Sequence, residues 1–133
     1  MVYSTQQKSV LNRVISESDR PLTAREILAE AQKELPHLGM ATVYRALKQF
    51  QADGQARVVE IPGITPHYES AATPHHHFFC CVQCEKLFNL VGCVRGITSL
   101  APEHFRVRRH EIVLYGDCQA CLTAVNGAAP RPG

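Results

Sequence analysis

The first 20 residues space their apolar side chains as one face of an amphipathic helix. The apolar positions are Val10, Leu11, Val14 and Ile15. Their spacing of one, three and four residues is the repeat of a helix that buries one side. Pro21 follows, and it cannot donate the backbone hydrogen bond that would continue the helix. The pattern predicts a helix over residues 4–18.

Two further helical segments follow. Thr23 and Glu26 have the Thr-x-x-Glu spacing of a capping box, and helical apolar spacing continues from there to the break at Pro36. A third helix is predicted over residues 41–53, because Gly54 is the residue type most often found just past a helix end. Three short helices in succession indicate a helix-turn-helix bundle.

The pattern then changes from helical to extended. Residues 56–61 and 67–69 flank Pro62 and Gly63, which is the arrangement of a β-hairpin. Three helices followed by a hairpin form the winged-helix pattern. Residues 71–74 are small and polar and end in Pro, so we interpret them as a linker.

The second half of the chain is predicted to be a small α+β unit. Strand-like patterns cover residues 77–82, 86–91 and 105–115, and a helix is expected over 94–100. Residues 126–133 have too little apolar surface to order a segment.

The predicted fold class is therefore α+β. It comprises a winged helix-turn-helix over residues 1–70, the linker, a metal-binding domain over 75–125 and a disordered tail over 126–133.

Composition narrows the class of protein. The 133 residues are 45% apolar and 20% charged, which is typical of a globular chain. The longest apolar run, residues 78–82, is too short to span a membrane. The start lacks the basic-then-apolar order of a secretory signal, so an intracellular, cytoplasmic protein is expected. A net charge of +2 is too weak to indicate nucleic-acid binding by itself.

The cysteines are concentrated in the second half and come mostly in pairs. Cys81 and Cys84 form one Cys-x-x-Cys pair, and Cys118 and Cys121 form another. Two such pairs can supply four thiolates to a tetrahedral zinc ion. The alternatives are buried or disulfide-bonded cysteines, and disulfides are disfavoured in an intracellular protein. The spacing predicts a structural zinc site.

Histidines accumulate just before the first cysteine pair. His75, His76 and His77 are consecutive, Glu69 precedes them, and His104 and His110 follow; imidazole and carboxylate ligands suit Zn²⁺, Fe²⁺ and Mn²⁺. Side chains alternate along a strand, so His75 and His77 should share a face and His76 the opposite one. We interpret the group as a second, exchangeable metal site; solvated loop histidines are the alternative.

The third predicted helix has one apolar and one polar face. The apolar face consists of Val43, Ala46, Leu47 and Phe50. The polar face presents Tyr44, Arg45, Lys48 and Gln49. Arginine and lysine suit phosphate or guanine, and tyrosine suits a thymine methyl group. This face is a candidate recognition surface for DNA, although a solvated helix could have the same composition.

At these residues the sequence resembles the ferric uptake regulator (Fur) family of bacterial metal-dependent repressors. Residues 39–47, which include Thr42, are similar to the family's recognition-helix signature. Residues 75–78 are similar to its histidine-rich strand, and residues 110–118 to its last strand. The paired cysteines match its structural zinc site.

The resemblance implies several functional properties. It implies a C-terminal dimerisation domain, and repression when a regulatory metal is bound. It places regulatory ligands at Glu69, His76, His77 and His110, with His75 as an adjacent candidate. Phe78 stands where the family has a further histidine.

We therefore expect a homodimeric repressor of metal-homeostasis genes, responsive to iron or zinc, that binds a palindromic DNA operator with Fe²⁺, Zn²⁺ or Mn²⁺ as co-repressor. The sequence leaves the signal open among iron, zinc, manganese and peroxide. Two alternatives are a zinc hydrolase using Glu69 or Glu111 as its base, and a thiol redox protein using Cys80 and Cys81.

Overall fold

The computed structural model describes residues 5–74, 76–92 and 94–124. The chain divides into two compact units, residues 1–74 and 75–133, and each is described here by itself. His75, Cys93 and the predicted tail over residues 126–133 lie outside the described residues. In the part of the chain that is described, none of the helices combines the length and the apolar character needed to cross a bilayer.

The first unit contains three helices and a small sheet. The helices are α1 (Thr5–Glu17), α2 (Ala24–Ala31) and α3 (Met40–Ala52). The first and third match the predicted segments within one or two residues. Gly54 follows α3 in a left-handed conformation, with φ of 72°, as expected for a residue that ends a helix.

The predicted capping box starts α2. The Thr23 hydroxyl accepts a hydrogen bond from the Glu26 amide at 3.1 Å, and the Thr23 amide donates to the Glu26 carboxylate at 3.0 Å. Burial acts to raise the pKa of Glu26, but the Arg20 guanidinium and the Thr23 amide outweigh it, so the pKa lies below its ordinary value. The capping box therefore fixes the start of α2, and the ionised carboxylate of Glu26 is one of its two hydrogen-bond acceptors.

The predicted extent of α2 is wrong at its C-terminal end. The helix ends at Ala31 rather than continuing to Pro36. Beyond Ala31 the amides of Lys33 and Glu34 donate to carbonyls three residues back, at 3.2 and 3.1 Å. The Leu35 amide still donates to the Ala31 carbonyl at 2.9 Å, so the segment before Pro36 consists of turns rather than of further helix.

The sheet of the first unit has three strands in the order β1-β3-β2. β2 (Ala56–Val59) and β3 (His67–Ser70) form the predicted antiparallel hairpin. β1 (Leu22–Thr23) was not predicted; it pairs with His67 and Tyr68 on the free side of β3. Thr23 thus serves both as a strand residue and as the cap of α2.

The core of the first unit is formed by side chains from α1, α2, α3 and the strands. Its buried residues are Val10, Leu11, Ile15, Leu22, Ala24, Ile27, Ala31, Leu38, Val43, Ala46, Leu47, Phe50 and Ala56. The predicted apolar face of α3 belongs to this core, which leaves the opposite face of the helix at the surface of the unit.

The second unit contains a three-stranded sheet in the order β5-β4-β6. β4 (His77–Cys81) pairs antiparallel with β5 (Leu87–Leu90) and parallel with β6 (Val113–Gly116). A short helix, α4 (Gln119–Ala124), follows β6 and was not predicted. The mixed α+β class is as expected.

Two predicted elements of the second unit are wrong. The strand expected over residues 105–115 is ordered as a strand only at its end, in β6. Just before β6 the Ile112 carbonyl still accepts a hydrogen bond from the Phe78 amide at 3.0 Å, but no strand of the described chain pairs with residues 105–111. Phe105 is 71% exposed. The helix expected over 94–100 is a single 3-10 turn, Ile97–Leu100, which suits a segment with no buried side chain.

Candidate functional site

The four paired cysteines converge at one end of the second sheet. Cys81 is the last residue of β4, and Cys84 lies in the turn before β5. The parallel pairing places Gly116 opposite Cys81, so the chain leaving β6 brings Cys118 and the first turn of α4 to the same end. The four sulfur atoms all lie within 4.8 Å of one another.

The sulfur positions fit a tetrahedral zinc ion. The Sγ atoms of Cys81 and Cys121 are 3.7 Å apart, and those of Cys84 and Cys118 are 3.8 Å apart. Zn–S bonds of about 2.3 Å at tetrahedral angles require edges of roughly 3.8 Å between sulfurs. Four thiolate donors at this spacing form a closed site of the structural type.

The pKa values of two cysteines of the cluster are shifted in opposite directions. Burial acts to raise the pKa of Cys81, but backbone amides, including that of Cys118 at 3.4 Å from the sulfur, lower it to about 6. The thiol of Cys121 keeps its proton beside the sulfur of Cys118, which raises its pKa to about 12. Cys81 is thus the cysteine whose thiolate form the surrounding backbone favours.

The turn between the first two cysteines is held by its backbone. The Glu85 amide donates to the Cys81 carbonyl at 2.9 Å, and the Cys81 amide donates to the Lys86 carbonyl at 3.0 Å. Glu85 has a φ of 62°, in the left-handed region that a non-glycine residue rarely adopts. The tight turn needed for two ligands therefore forms without a glycine.

The histidine-rich segment brings together two of its predicted ligands. The rings of His77 and His110 lie 5.0 Å apart between centroids, and His77 is 2% exposed. His76 instead lies edge-on to Phe78 at 4.8 Å. The strand alternation expected from the sequence thus separates His76 from His77. His104 lies in a loop and is 89% exposed.

The buried ring of His77 has a defined hydrogen-bonding state. The Ile112 amide donates to Nδ1 of His77 at 3.1 Å. Nδ1 therefore holds a lone pair, and a neutral His77 carries its proton on Nε2. A metal-binding histidine usually donates its second ring N–H to an acceptor, whereas here the backbone places a donor. This hydrogen bond favours the ring with its proton on Nε2.

Glu69, the carboxylate of the predicted second site, lies in the first unit. It is 7% exposed and belongs to β3. Its Oε2 accepts a hydrogen bond from Nη2 of Arg57 at 3.0 Å. The sequence analysis did not identify Arg57, because the pair depends on the register of the hairpin.

The polar face of α3 is exposed as predicted. Tyr44 is 54% exposed, and Arg45 and Lys48 are also at the surface. Arg45 donates to the Thr42 hydroxyl at 3.2 Å, while Gln49 donates to the Asp53 carboxylate at 3.1 Å. Tyr44, Arg45 and Lys48 are thus presented outward, and the Gln49 amide is engaged by Asp53, the residue that caps the C-terminal end of α3.

A groove that the sequence analysis missed adjoins this face. It has a volume of about 230 Å³. Its lining residues are Thr23, Ala24, Arg25, Tyr44, Thr65, Pro66 and Tyr68. The groove joins α3 to the start of α2 and to the loop of the hairpin, so the exposed Arg25 side chain lies near the same surface as Tyr44. Only the assembled unit brings these segments together.

Comparison with known proteins identifies relatives along most of the chain. The model of the Ferric uptake regulator family matches residues 2–115. A ferric uptake regulation protein of Campylobacter jejuni is 30% identical over 122 residues, which cover 88% of this chain and 78% of that protein. The peroxide operon regulator of Bacillus subtilis is 26% identical over 125 residues, which cover 91% and 84%.

Solved structures share the fold. A zinc-bound manganese uptake regulator superposes with a TM-score of 0.75 at 24% identity, covering 88% of this chain and 91% of that one. The Helicobacter pylori ferric uptake regulator, described with three functional metal-binding sites, gives 0.71 at 21% identity, covering 90% and 82%.

Proposed function

The chain belongs to the ferric uptake regulator family of metal-responsive transcriptional repressors, and we propose on that premise that it represses transcription as a homodimer bound to a palindromic operator. A two-fold symmetric dimer presents two recognition helices, so each half of the operator would carry the same sequence in inverted orientation. The observation that supports this function most directly is the exposed polar face of α3 beside a hairpin, on a chain that also carries a four-cysteine cluster.

The structural metal of this proposal is zinc, bound by Cys81, Cys84, Cys118 and Cys121. Their sulfur spacing supports the assignment. When bound, zinc would cross-link the end of β4, the following turn and the start of α4. The chain's own contribution is the set of amides around Cys81, which favour the thiolate form that a metal requires.

The DNA contacts are assigned to α3, with Thr42, Tyr44, Arg45, Lys48 and Gln49 as the candidate residues. Arg45 and Lys48 would bind phosphates or guanine, and Tyr44 would contact a thymine methyl group. Gln49 would have to exchange its bond to Asp53 for one to a base. Arg25, at the edge of the groove beside Tyr44, is positioned to add a phosphate contact.

A second, exchangeable divalent metal is proposed as the co-repressor. Its ligands would come from Glu69, His76, His77 and His110, with His75 as a further candidate. Nitrogen and oxygen donors suit Fe²⁺, Zn²⁺ or Mn²⁺, and relatives include iron, manganese and peroxide regulators. When bound, the metal supplies positive charge and a fixed ligand geometry.

Binding of that metal would break hydrogen bonds that two of the ligand residues make in the structure. His77 would give up its hydrogen bond from Ile112 to bind through Nε2, and the carboxylate of Glu69 would leave Arg57. Coupling between a metal site and DNA affinity is typically about 1–3 kcal/mol, or ~5- to 150-fold in affinity. The loss of these two hydrogen bonds, at His77 and at Glu69, weakens metal binding and so helps to keep the metal exchangeable.

The two enzyme-like alternatives are disfavoured by particular residues. A hydrolase would need a carboxylate base held in a pocket beside its metal, but Glu69 is ion-paired with Arg57, and Glu111 is exposed rather than held in a pocket. A redox protein built on Cys80 and Cys81 would need both thiols for reaction, but burial raises the pKa of Cys80 and so lowers its reactivity, and Cys81 belongs to the four-cysteine cluster.

The proposal is tested by selection from random DNA duplexes with zinc-loaded protein, in parallel with Fe²⁺, Zn²⁺, Mn²⁺ or EDTA. Enrichment of an inverted repeat with at least one metal, and its loss in EDTA, is the expected result. Enrichment of no sequence under any of the four conditions would contradict a metal-dependent repressor.

A further inference from the structure

Arg57 and Glu69 form a cross-strand ion pair at the end of the first unit. The two residues lie directly opposite each other in the β2–β3 register, and Nη2 of Arg57 donates to Oε2 of Glu69 at 3.0 Å. The same nitrogen donates to the Thr73 carbonyl at 2.9 Å. One guanidinium therefore holds both a strand carboxylate and the turn that follows the strand.

The two partners differ in their exposure. The Glu69 side chain is 8% exposed, whereas that of Arg57 is 43% exposed. A carboxylate removed from water in this way needs a compensating cation or hydrogen-bond donor. The guanidinium can return to water at little cost, so the pair is suited to an exchange in which the carboxylate stays buried and its cation changes.

We propose that Arg57 is an internal competitor of the regulatory metal, neutralising Glu69 when the metal is absent and leaving it when the metal binds. The inference rests on the proposed function, in which Glu69 is a ligand of the co-repressor. A metal that binds through Oε2 competes with Arg57 for that oxygen, so its apparent affinity is the intrinsic affinity multiplied by the fraction of molecules in which Arg57 has left. Arg57 thus sets the metal concentration at which the protein responds.

The contact with Thr73 extends the consequence to the chain that follows. Thr73 precedes Pro74, the last residue of the first unit, and the histidine segment begins directly afterwards. When Arg57 leaves Glu69, its bond to Thr73 is also disturbed, since both bonds use the same nitrogen. Exchange at Glu69 therefore also loosens the turn that leads to the histidine segment.

The experiment measures Mn²⁺ binding to zinc-loaded protein from the electron paramagnetic resonance signal of the free ion. Arg57→Met should bind Mn²⁺ ~3- to 10-fold more tightly than the unaltered chain, as expected if the competing pair occupies most molecules. Arg13→Met is the matched control, since it removes a cation paired with Glu34 on the surface of the same unit; its affinity should stay within about twofold.

A double-mutant cycle separates competition from a general charge effect. Glu69→Gln should weaken Mn²⁺ binding, and Arg57→Met should give no gain in the Glu69→Gln background. A gain that persists there would mean that Arg57 acts only as a nearby positive charge, and would overturn the proposal. Thermal melting of each zinc-loaded variant before Mn²⁺ is added confirms that it is folded. Arg57→Gln, which keeps a polar side chain but removes the charge, replaces Arg57→Met if that variant unfolds, and a gain of at least threefold is then expected.

The same cycle distinguishes failure of the inference from failure of the proposed site. If Glu69→Gln weakens Mn²⁺ binding but neither Arg57 variant strengthens it, the competitor role is wrong and the ligand assignment stands. If Glu69→Gln leaves Mn²⁺ affinity unchanged, Glu69 is not a ligand, and both the competitor role and that part of the proposed metal site are wrong.

Discussion

Removing one zinc ligand should unfold the second unit and leave the first intact. The two units differ in how they are stabilised. The first has a core of thirteen buried residues. In the second, the buried side chains among the described residues are His77, Cys80, Cys81, Leu87 and Cys118.

The magnitudes favour the metal as the main stabilising term of the second unit. Burial of Leu87 contributes about 1.5–3 kcal/mol. Binding of structural zinc to a small thiolate site contributes about 10–16 kcal/mol near pH 7. The metal term is several times larger, so Cys84→Ala should remove zinc and, with it, the order of the sheet.

The assay combines zinc content with amide hydrogen exchange. In Cys84→Ala, zinc should fall from about one per chain to near zero, and the amides of β4, β5 and β6 should lose protection while those of α1 and α3 keep it. The matched control is Cys80→Ala, which removes the neighbouring buried thiol outside the cluster and should keep its zinc. Retention of full zinc content by Cys84→Ala, or a protected second sheet without zinc, would refute the reasoning.

Three further outcomes are expected. Arg45→Ala should weaken operator binding by about 1–3 kcal/mol in a duplex titration, since it removes a charge-assisted contact; Arg13→Ala should not, and equal loss in both variants would point to a general charge effect. His110→Ala should lose exchangeable Mn²⁺ in dialysis but keep zinc, and unchanged Mn²⁺ content would remove His110 from the ligand set. The pKa of Cys81 is lowered from 9.0 to about 6, so its thiolate is available to zinc above about pH 6 and is protonated as the pH falls through 6; a zinc content after dialysis that is higher at pH 5 than at pH 8 would contradict this sign.

The elements that could be predicted from the sequence are those with a local signal. The buried and exposed faces of α3 follow directly from its 3.6-residue repeat. The capping box of α2 depends on Thr23 and Glu26 alone. The cysteine pairs were recognisable because each Cys-x-x-Cys places two ligands in one turn, whatever the fold around them.

The features that were missed depend on partners distant in sequence. β1 is two residues long and exists because β3 offers a free edge. Residues 105–111 have a strand pattern, but no strand of the described chain pairs with them. The Arg57–Glu69 pair depends on the register of the hairpin. That register could not be predicted from the sequence because seven residues separate β2 from β3. Sequence patterns could identify Glu69 as a candidate ligand but not the cation already bound to it.

The parallel pairing of β4 and β6 links the two proposed metal sites. His77 begins β4 and Cys81 ends it, while His110 lies shortly before β6 and Cys118 shortly after it. One register, with Phe78 opposite Val113, therefore sets both the histidine pair and the cysteine cluster.

Four steps along a strand span ~13 Å, so the two ends of β4 cannot share a ligand, but they do share this pairing. Zinc bound at the cysteine end would fix the register and so hold the two imidazoles near each other. Because such coupling is reciprocal, occupation of the histidine site should in turn strengthen zinc retention. The structural zinc is then part of what tunes the affinity of the regulatory site.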